Sequence, residues 1–226
     1  MIHIVSTFYI SNCEERNKEL GQCVINNLES ALVEKVHIFV DNDESLKKLN
    51  AISNDSDKVV IISIGFKPKY IDFFNYILDH LNDHTCMITN ADIYIRSMDL
   101  SVLQELENNK MVYALSRYEY NMTCPQIQRY GGSHDCYIFH SKFLSKHIIN
   151  EHTDYYQHYS GIESHIISAF YNCGFKVLNP CFQLEIIHLH QSNVRSAEIW
   201  IGLHDYDTDF KDKCWWVPPT VYNLIK

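Results

Sequence analysis

At 226 residues the chain is long enough to bury a sizeable core as one α/β domain, or at most two small ones. Its 46% hydrophobic and 21% charged residues are ordinary for a globular protein, while a formal net charge of −9 argues against a broad nucleic-acid or anionic-membrane surface, since either partner would be repelled. Eight scattered cysteines without a CxxC pair, several of them inside apolar stretches, read as reduced core thiols rather than a disulfide framework.

Residues 2–9 read as a first strand, and Ser11 followed three residues later by Glu14 has the spacing of a capping box that opens a helix. Leu20, Val24, Leu28 and Ala31 recur at helical spacing, so one face of that helix is expected to be buried. Residues 36–40 form a second strand that ends in Asp41-Asn42-Asp43-Glu44; after a polar, exposed-looking segment, 59–64 form a third. Such runs suit strands buried on both faces, as in a mostly parallel sheet covered by helices. The stretch 70–81 carries Phe73, Phe74, Ile77, Leu78 and Leu81 at helical spacing and feeds a strand ending at Asn90 and Asp92. The expected order to that point is β-α-β-β-α-β.

A short helix at 100–106 follows, then a strand at 111–115 that runs into Ser116-Arg117-Tyr118. A polar loop over 119–132 has the length usually reserved for function or disorder. Residues 136–139 are a short strand, and Ser160-Gly161-Ile162-Glu163 opens a helix whose Ile166, Ile167, Ala169 and Phe170 lead to Gly174 at its C-terminal end. The last strands are expected at 176–180 and 183–190, followed by a Trp-rich tail. No repeat or Gly/Ser-rich linker divides the chain, so the expectation is a single domain over 1–226, with its core at 2–195 and the tail at 196–226. The chain does not open on a basic region followed by an apolar one, and no run approaches the ~18 apolar residues that cross a bilayer. A cytoplasmic protein without a membrane anchor is expected.

Polar residues collect where strands end, at Ser6 and Thr7, Asp41 and Asn42, Asn90 and Asp92, and Arg117. In open α/β sheets ligands bind at the carboxyl ends of the strands. Asp92 ends a buried run, where an ionised carboxylate requires a cation or hydrogen-bond donors; Asn and Asp are equally the residues of an Asx turn. His188 and His190, two apart on a strand, share a face and suit Mn²⁺, Fe²⁺ or Zn²⁺, or else are two hydrogen-bonded surface histidines. Glu163 stands at a helix N-terminus, which favours its ionised form, though with Ser160 it also has capping-box spacing. Asp135 precedes a strand in a Gly-containing turn. Arg117 fits either a bidentate phosphate or carboxylate contact or a surface cation.

In their order these pieces resemble the GT-A fold glycosyltransferases that use nucleotide-sugar donors. Asn90-Ala91-Asp92-Ile93-Tyr94 is similar to that superfamily's DxD metal motif in a variant beginning with Asn. Gly161-Ile162-Glu163-Ser164-His165 through Gly174-Phe175-Lys176-Val177 is similar to its later signature. With Leu115-Ser116-Arg117-Tyr118, Gly132-Ser133-His134-Asp135-Cys136-Tyr137-Ile138-Phe139, Asn179-Pro180-Cys181 and His188 through Arg195, the set resembles a subgroup of small glycosyltransferases found in large DNA viruses and some microbes. For a viral member the cytoplasm would be the host's.

The resemblance implies a GT-A-like (Rossmann-like) mixed, mostly parallel sheet, and transfer of a sugar from a UDP- or GDP-sugar to a glycan or other hydroxyl acceptor. It implies Mn²⁺ or Mg²⁺ on Asp92 with His190 or His188, donor contacts from Ser6, Thr7, Asp41, Asn90 and Arg117, and a catalytic base at Glu163 or Asp135. Asn90 departs from the first Asp of the usual motif, and Ser164 stands where many inverting enzymes have their catalytic Asp. Three alternatives share parts of the pattern: a sugar nucleotidyltransferase, which lacks support because no glycine precedes Gly21; a non-catalytic nucleotide-sugar or glycan-binding module; and a zinc hydrolase, for which no HExxH helix is present.

Overall fold

The computed structural model describes residues 1–125, 134–192, 194, 199, 201 and 217–222. Gly131-Gly132, Arg195 and most of the Trp-rich tail lie outside the described residues. The chain runs β1 (Ile2–Thr7), α1 (Glu14–Glu29), β2 (Val33–Val40), α2 (Asp43–Ser53), β3 (Val59–Ser63), α3 (Tyr70–His80), β4 (Thr85–Thr89), β5 (Ile93–Met98) and α4 (Leu100–Asn108). It continues through β6 (Met111–Ser116), β7 (Tyr118–Glu119), β8 (His134–His140), α5 (Ile162–Asn172), β9 (Lys176–Leu178) and β10 (Leu184–His188).

Seven strands form one sheet in the order β3-β2-β1-β4-β8-β6-β9, and β5-β10-β7 form a second. In the large sheet only β8 runs against its neighbours β4 and β6, so it is mixed and mostly parallel, as expected. Period-two alternation sends Val5, Ile88, Tyr137 and Val112 to a core beneath α3 and α5. Ile4, Met87, Ile138 and Tyr113 point the other way, into a core shared with α1, α2, α4 and the small sheet. Both faces of the large sheet are therefore buried, which is why its strands read as continuous apolar runs.

Some local expectations are corrected. The polar segment after β2 is helix α2, whose Asn42 N-cap accepts the Ser45 N–H at 2.8 Å; the order to β4 is therefore β-α-β-α-β-α-β. Ser11 does not cap α1: the N-cap is Cys13, and Ser11 instead gives its N–H to Asn17 Oδ1 at 2.7 Å. Gly161, not Ser160, is the N-cap of α5, at φ 89°, a left-handed conformation that suits glycine. Every cysteine among the described residues is free, and no described helix is long and apolar enough to cross a membrane.

Candidate functional site

The order β2-β1-β4 makes the gap between β1 and β4 a topological switch point, where chains leaving the sheet diverge and open a crevice. A cleft of about 560 Å³ lies there. Its walls come from the loop after β1 (Thr7 to Ser11), from Asp41 and Asn42 after β2, and from Asn90 to Asp92 after β4. Because β8 is antiparallel, its first residues lie beside the end of β4: Thr89 pairs with Cys136, and Asn90 N–H donates to the Asp135 carbonyl at 3.2 Å. Arg16, Lys67, Arg117, Asp135, His158, His188 and His190 also line it.

Asp92, His188 and His190 are brought together by the small sheet. The antiparallel β5–β10 ladder sets His188 opposite Ile93, and Leu189 N–H donates to the Asp92 carbonyl at 2.9 Å. One ligand atom from each of the three side chains lies within 4.8 Å of the others. His188 Nδ1 faces Glu119 Oε2 at 2.8 Å, its parallel neighbour across β10–β7, and His190 Nε2 faces the Val194 carbonyl at 2.9 Å. An acceptor behind each ring orients it so that His188 Nε2 (3.2 Å) and His190 Nδ1 (3.7 Å) are turned toward Asp92 Oδ2. This donor set, one carboxylate and two backed imidazoles, is chemically fit to hold a divalent metal.

The same Oδ2 also accepts from Arg16 Nη2 at 2.5 Å. Arg16 comes from the first turn of α1, and that helix is clipped to β5 by the Asn27 amide, which donates to the Ile93 carbonyl at 3.0 Å and accepts the Ile95 N–H at 3.1 Å. Arg16 in turn reaches Glu19 at 3.3 Å, and Glu19 takes both the N–H and the hydroxyl of Ser192 at 2.7 Å. On the other side, Glu119 accepts from Arg117 Nε at 2.9 Å, Arg117 Nη1 donates to Asp135 Oδ2 at 2.8 Å, and Asn90 Nδ2 donates to Asp135 Oδ1 at 2.9 Å. A continuous chain of alternating charge thus runs along the cleft from Ser192 to Asn90.

Its electrostatics follow from those contacts. Burial pushes the Asp92 carboxyl up, but His188 and Arg16 outweigh it and hold the group well below the carboxylate range. Burial works against charge on His188, whereas its bonds to Asp92 and Glu119 lift it to about 9. Glu119 falls to about 2, burial again being overcome by His188 and Arg117. Glu163 behaves oppositely: burial, with Asp135 nearby, pushes it up to about 8.

Of the residues singled out from sequence, Thr7, Asp41, Asn90, Asp92, Arg117, Asp135, His188 and His190 all line the cleft. Ser6 and Glu163 are not among its lining residues. Ser6 is buried, and its hydroxyl donates to the Thr89 carbonyl at 2.9 Å, tying β1 to β4 behind the site. Sequence reasoning missed Arg16, Glu119, Glu19 and Lys67. Arg16 carried a legible signal, since it precedes Leu20, Val24 and Asn27 on the buried stripe of α1, where a charge demands a partner.

Solved structures share this architecture. A mannosyltransferase of Pyrobaculum calidifontis, in complex with GDP-Man and Mn²⁺, superposes with a TM-score of 0.57 over 85% of this chain and 57% of its own, at 12% identity. The chain has a GT-A-type fold. S. aureus TarS matches the GT-A chain with a TM-score of 0.53 over 84% of this chain and 36% of its own, at 13% identity. A Bacillus anthracis protein described as a glucose-1-phosphate thymidylyltransferase, in complex with sucrose, reaches 0.50 over 79% and 87%, at 10% identity. This GT-A chain therefore spans little more than half of the mannosyltransferase and about a third of TarS. No family profile and no curated protein matches its sequence.

Proposed function

We propose that the protein is a glycosyltransferase that moves a sugar from a nucleoside-diphosphate donor to an acceptor hydroxyl, with Mn²⁺ or Mg²⁺ held by Asp92, His188 and His190. The observation that carries this is the convergence of those three side chains within 4.8 Å, at the β1/β4 switch point of a GT-A-type fold. Two imidazoles favour Mn²⁺ over the harder Mg²⁺, which prefers oxygen ligands. When bound, the metal supplies a Lewis acid that offsets charge on the departing diphosphate.

The chain's own groups divide the rest of the work. Asp41, at the β2 end of the cleft, is an acceptor suited to ribose hydroxyls, and Thr7 lies beside it at the end of β1. Arg117 stands over the sugar end and holds Asp135 by its Nη1. Asp135 lines the cleft and is aimed by both Arg117 and Asn90, so it takes the acceptor's proton. Glu163 does not line the cleft and is largely protonated near pH 7, so its part is positional. Ser6 likewise supports the β1–β4 junction rather than the donor. The loop from Phe8 to Cys13 contains no glycine, which favours glycosyl over nucleotidyl transfer. The net charge of −9 disfavours nucleic acid and anionic membranes as partners and leaves room for a small anionic ligand at Arg16, Lys67 and Arg117 in the cleft.

The test is a panel of UDP- and GDP-sugars with Mn²⁺, reading release of the nucleoside diphosphate with and without glycan acceptors. Acceptor-dependent release is expected. Binding of nucleotide sugars without release across the panel would make the protein a binding module, and no binding of any nucleotide would end this reading.

A further inference from the structure

Resting on that reading, we infer that Arg16 is an exchangeable counter-cation: it and a divalent metal compete for Asp92, and the guanidinium released by the metal binds the donor's diphosphate. Three observations carry this. Arg16 Nη2 is bonded to the very oxygen, Asp92 Oδ2, toward which both imidazoles turn, so a guanidinium and a metal on that oxygen would repel each other at contact distance. Asn90 stands where a second carboxylate would otherwise offset the added charge, leaving Asp92 as the one carboxylate of the donor triad. Arg16 also lines the cleft itself, in contact with Tyr9 and Asp92, so its head can leave Asp92 without leaving the site.

The remaining contacts of Arg16 are arranged for such a swing. Nη1 stays anchored to Glu19 and the Leu189 carbonyl, both at 3.3 Å, and Glu19 is itself fixed by Ser192. Among the described residues, Nη2 meets Asp92 and, at 3.4 Å, the Tyr9 hydroxyl. The tethered half of the guanidinium holds its position while the other half changes partner from a carboxylate to a phosphate, both of which a guanidinium reads with its planar fork. No bond is made or broken beyond these ion pairs.

The exchange predicts effects of opposite sign in one variant, which loss of fold alone would not give. Arg16→Gln should bind Mn²⁺ alone about tenfold more tightly than wild type, by titration of the metal's paramagnetic signal. In saturating Mn²⁺ the same variant should bind UDP or GDP about tenfold more weakly, by calorimetry. If Arg16→Gln does not fold, Arg16→Lys carries the test: it keeps the charge but shortens the reach, so Mn²⁺ affinity should rise with a smaller loss of diphosphate affinity. Mn²⁺ affinity that is unchanged or weaker in the folded variant overturns the exchange, and unchanged nucleotide affinity overturns the diphosphate contact. Absence of nucleotide binding in every form, wild type included, instead defeats the glycosyltransferase reading, while the Mn²⁺ titration still decides the exchange.

Discussion

Asp92 is held by an arginine and flanked by two imidazoles, and that decides how it can be probed. Its side chain is about one-tenth exposed, so Asp92→Ala would strand the Arg16 charge in a buried setting. Removing one partner of a buried pair costs roughly 3–5 kcal/mol, and we expect a loss of that order for Asp92→Ala in chemical denaturation. Asp92→Asn keeps the shape and one acceptor; it should lose less stability and still lose Mn²⁺ binding, which separates ligand from scaffold. The two candidate bases differ in the same local way. Asp135→Asn should lower turnover by roughly 10²–10⁴, the usual span for a general base, whereas Glu163→Gln should stay within a few-fold of wild type at pH 7. Glu163 has its own signature in stability: with a folded pKa of about 8 against an ordinary value of 4.5, the folded state binds the extra proton between those limits. Its contribution is complete below pH 4.5 and disappears as pH rises through 8. Glu163→Gln should therefore gain on wild type in melting temperature between about pH 5 and pH 9; an identical pH profile for the two would show that Glu163 is not buried as a neutral acid.

Between elements, histidines join β1, β2, α3 and the turn before β4, away from the cleft. His3 Nδ1 meets His37 Nε2 at 3.0 Å, His37 Nδ1 meets the Tyr76 hydroxyl at 3.0 Å, and the His3 ring lies 4.4 Å from that of His84. Burial, reinforced by His3 and then Lys35, His84 and His80, lowers His37 to about 4, with Glu34 acting on His3 the other way. The unfolded chain then binds more protons than the folded one between about pH 6.5 and 4, so stability is full above that window and is lost as pH falls through it. For His37 alone the loss at pH 5 is about 2 kcal/mol. Denaturant midpoints at pH 7 and pH 5 should differ less in His37→Gln than in wild type, and an equal difference would show that His37 does not set the loss. Element by element, the strands of the large sheet, β10 and the helices α1, α3, α4 and α5 were readable from their apolar periods, whereas β5 and β7 were not singled out as strands. Helix α2 was not, because it buries only Ser45, Leu49 and Ser53 and otherwise presents polar residues to solvent. The pairing of β10 with both β5 and β7 was equally invisible, although it alone sets Glu119, His188 and Asp92 in a row. Sequence spacing could show that His188 and His190 share a face, but not that Arg16 and Glu119, 76 and 69 residues away from their partners, complete the site.

At the scale of the molecule, the proposed donor is an anion that an acidic chain would have to receive. The formal charge is −9, while at the cleft Arg16, Lys67 and Arg117 stand beside Asp41, Asp92 and Asp135, so that three cations are set against three carboxylates there. Burial lowers Lys67, and Asp41 opposes this. A ligand that binds only the folded state adds RT ln(1 + [L]/Kd), about 2.7 kcal/mol at a hundred times its Kd. For a domain of this length each kcal/mol moves the melting temperature by roughly 2–4 °C. UDP or GDP at that concentration with Mn²⁺ should therefore raise it by roughly 5–11 °C. The free nucleoside, lacking the diphosphate that the proposed metal and Arg16 would meet, should give a much smaller shift at equal concentration. Because two of the three donors are imidazoles, Mn²⁺ should support a larger diphosphate shift than Mg²⁺ at equal free metal. Equal shifts from nucleoside and diphosphate would mean that the cleft does not bind phosphate, and the proposed metal-bridging role of Asp92, His188 and His190 would fall with it.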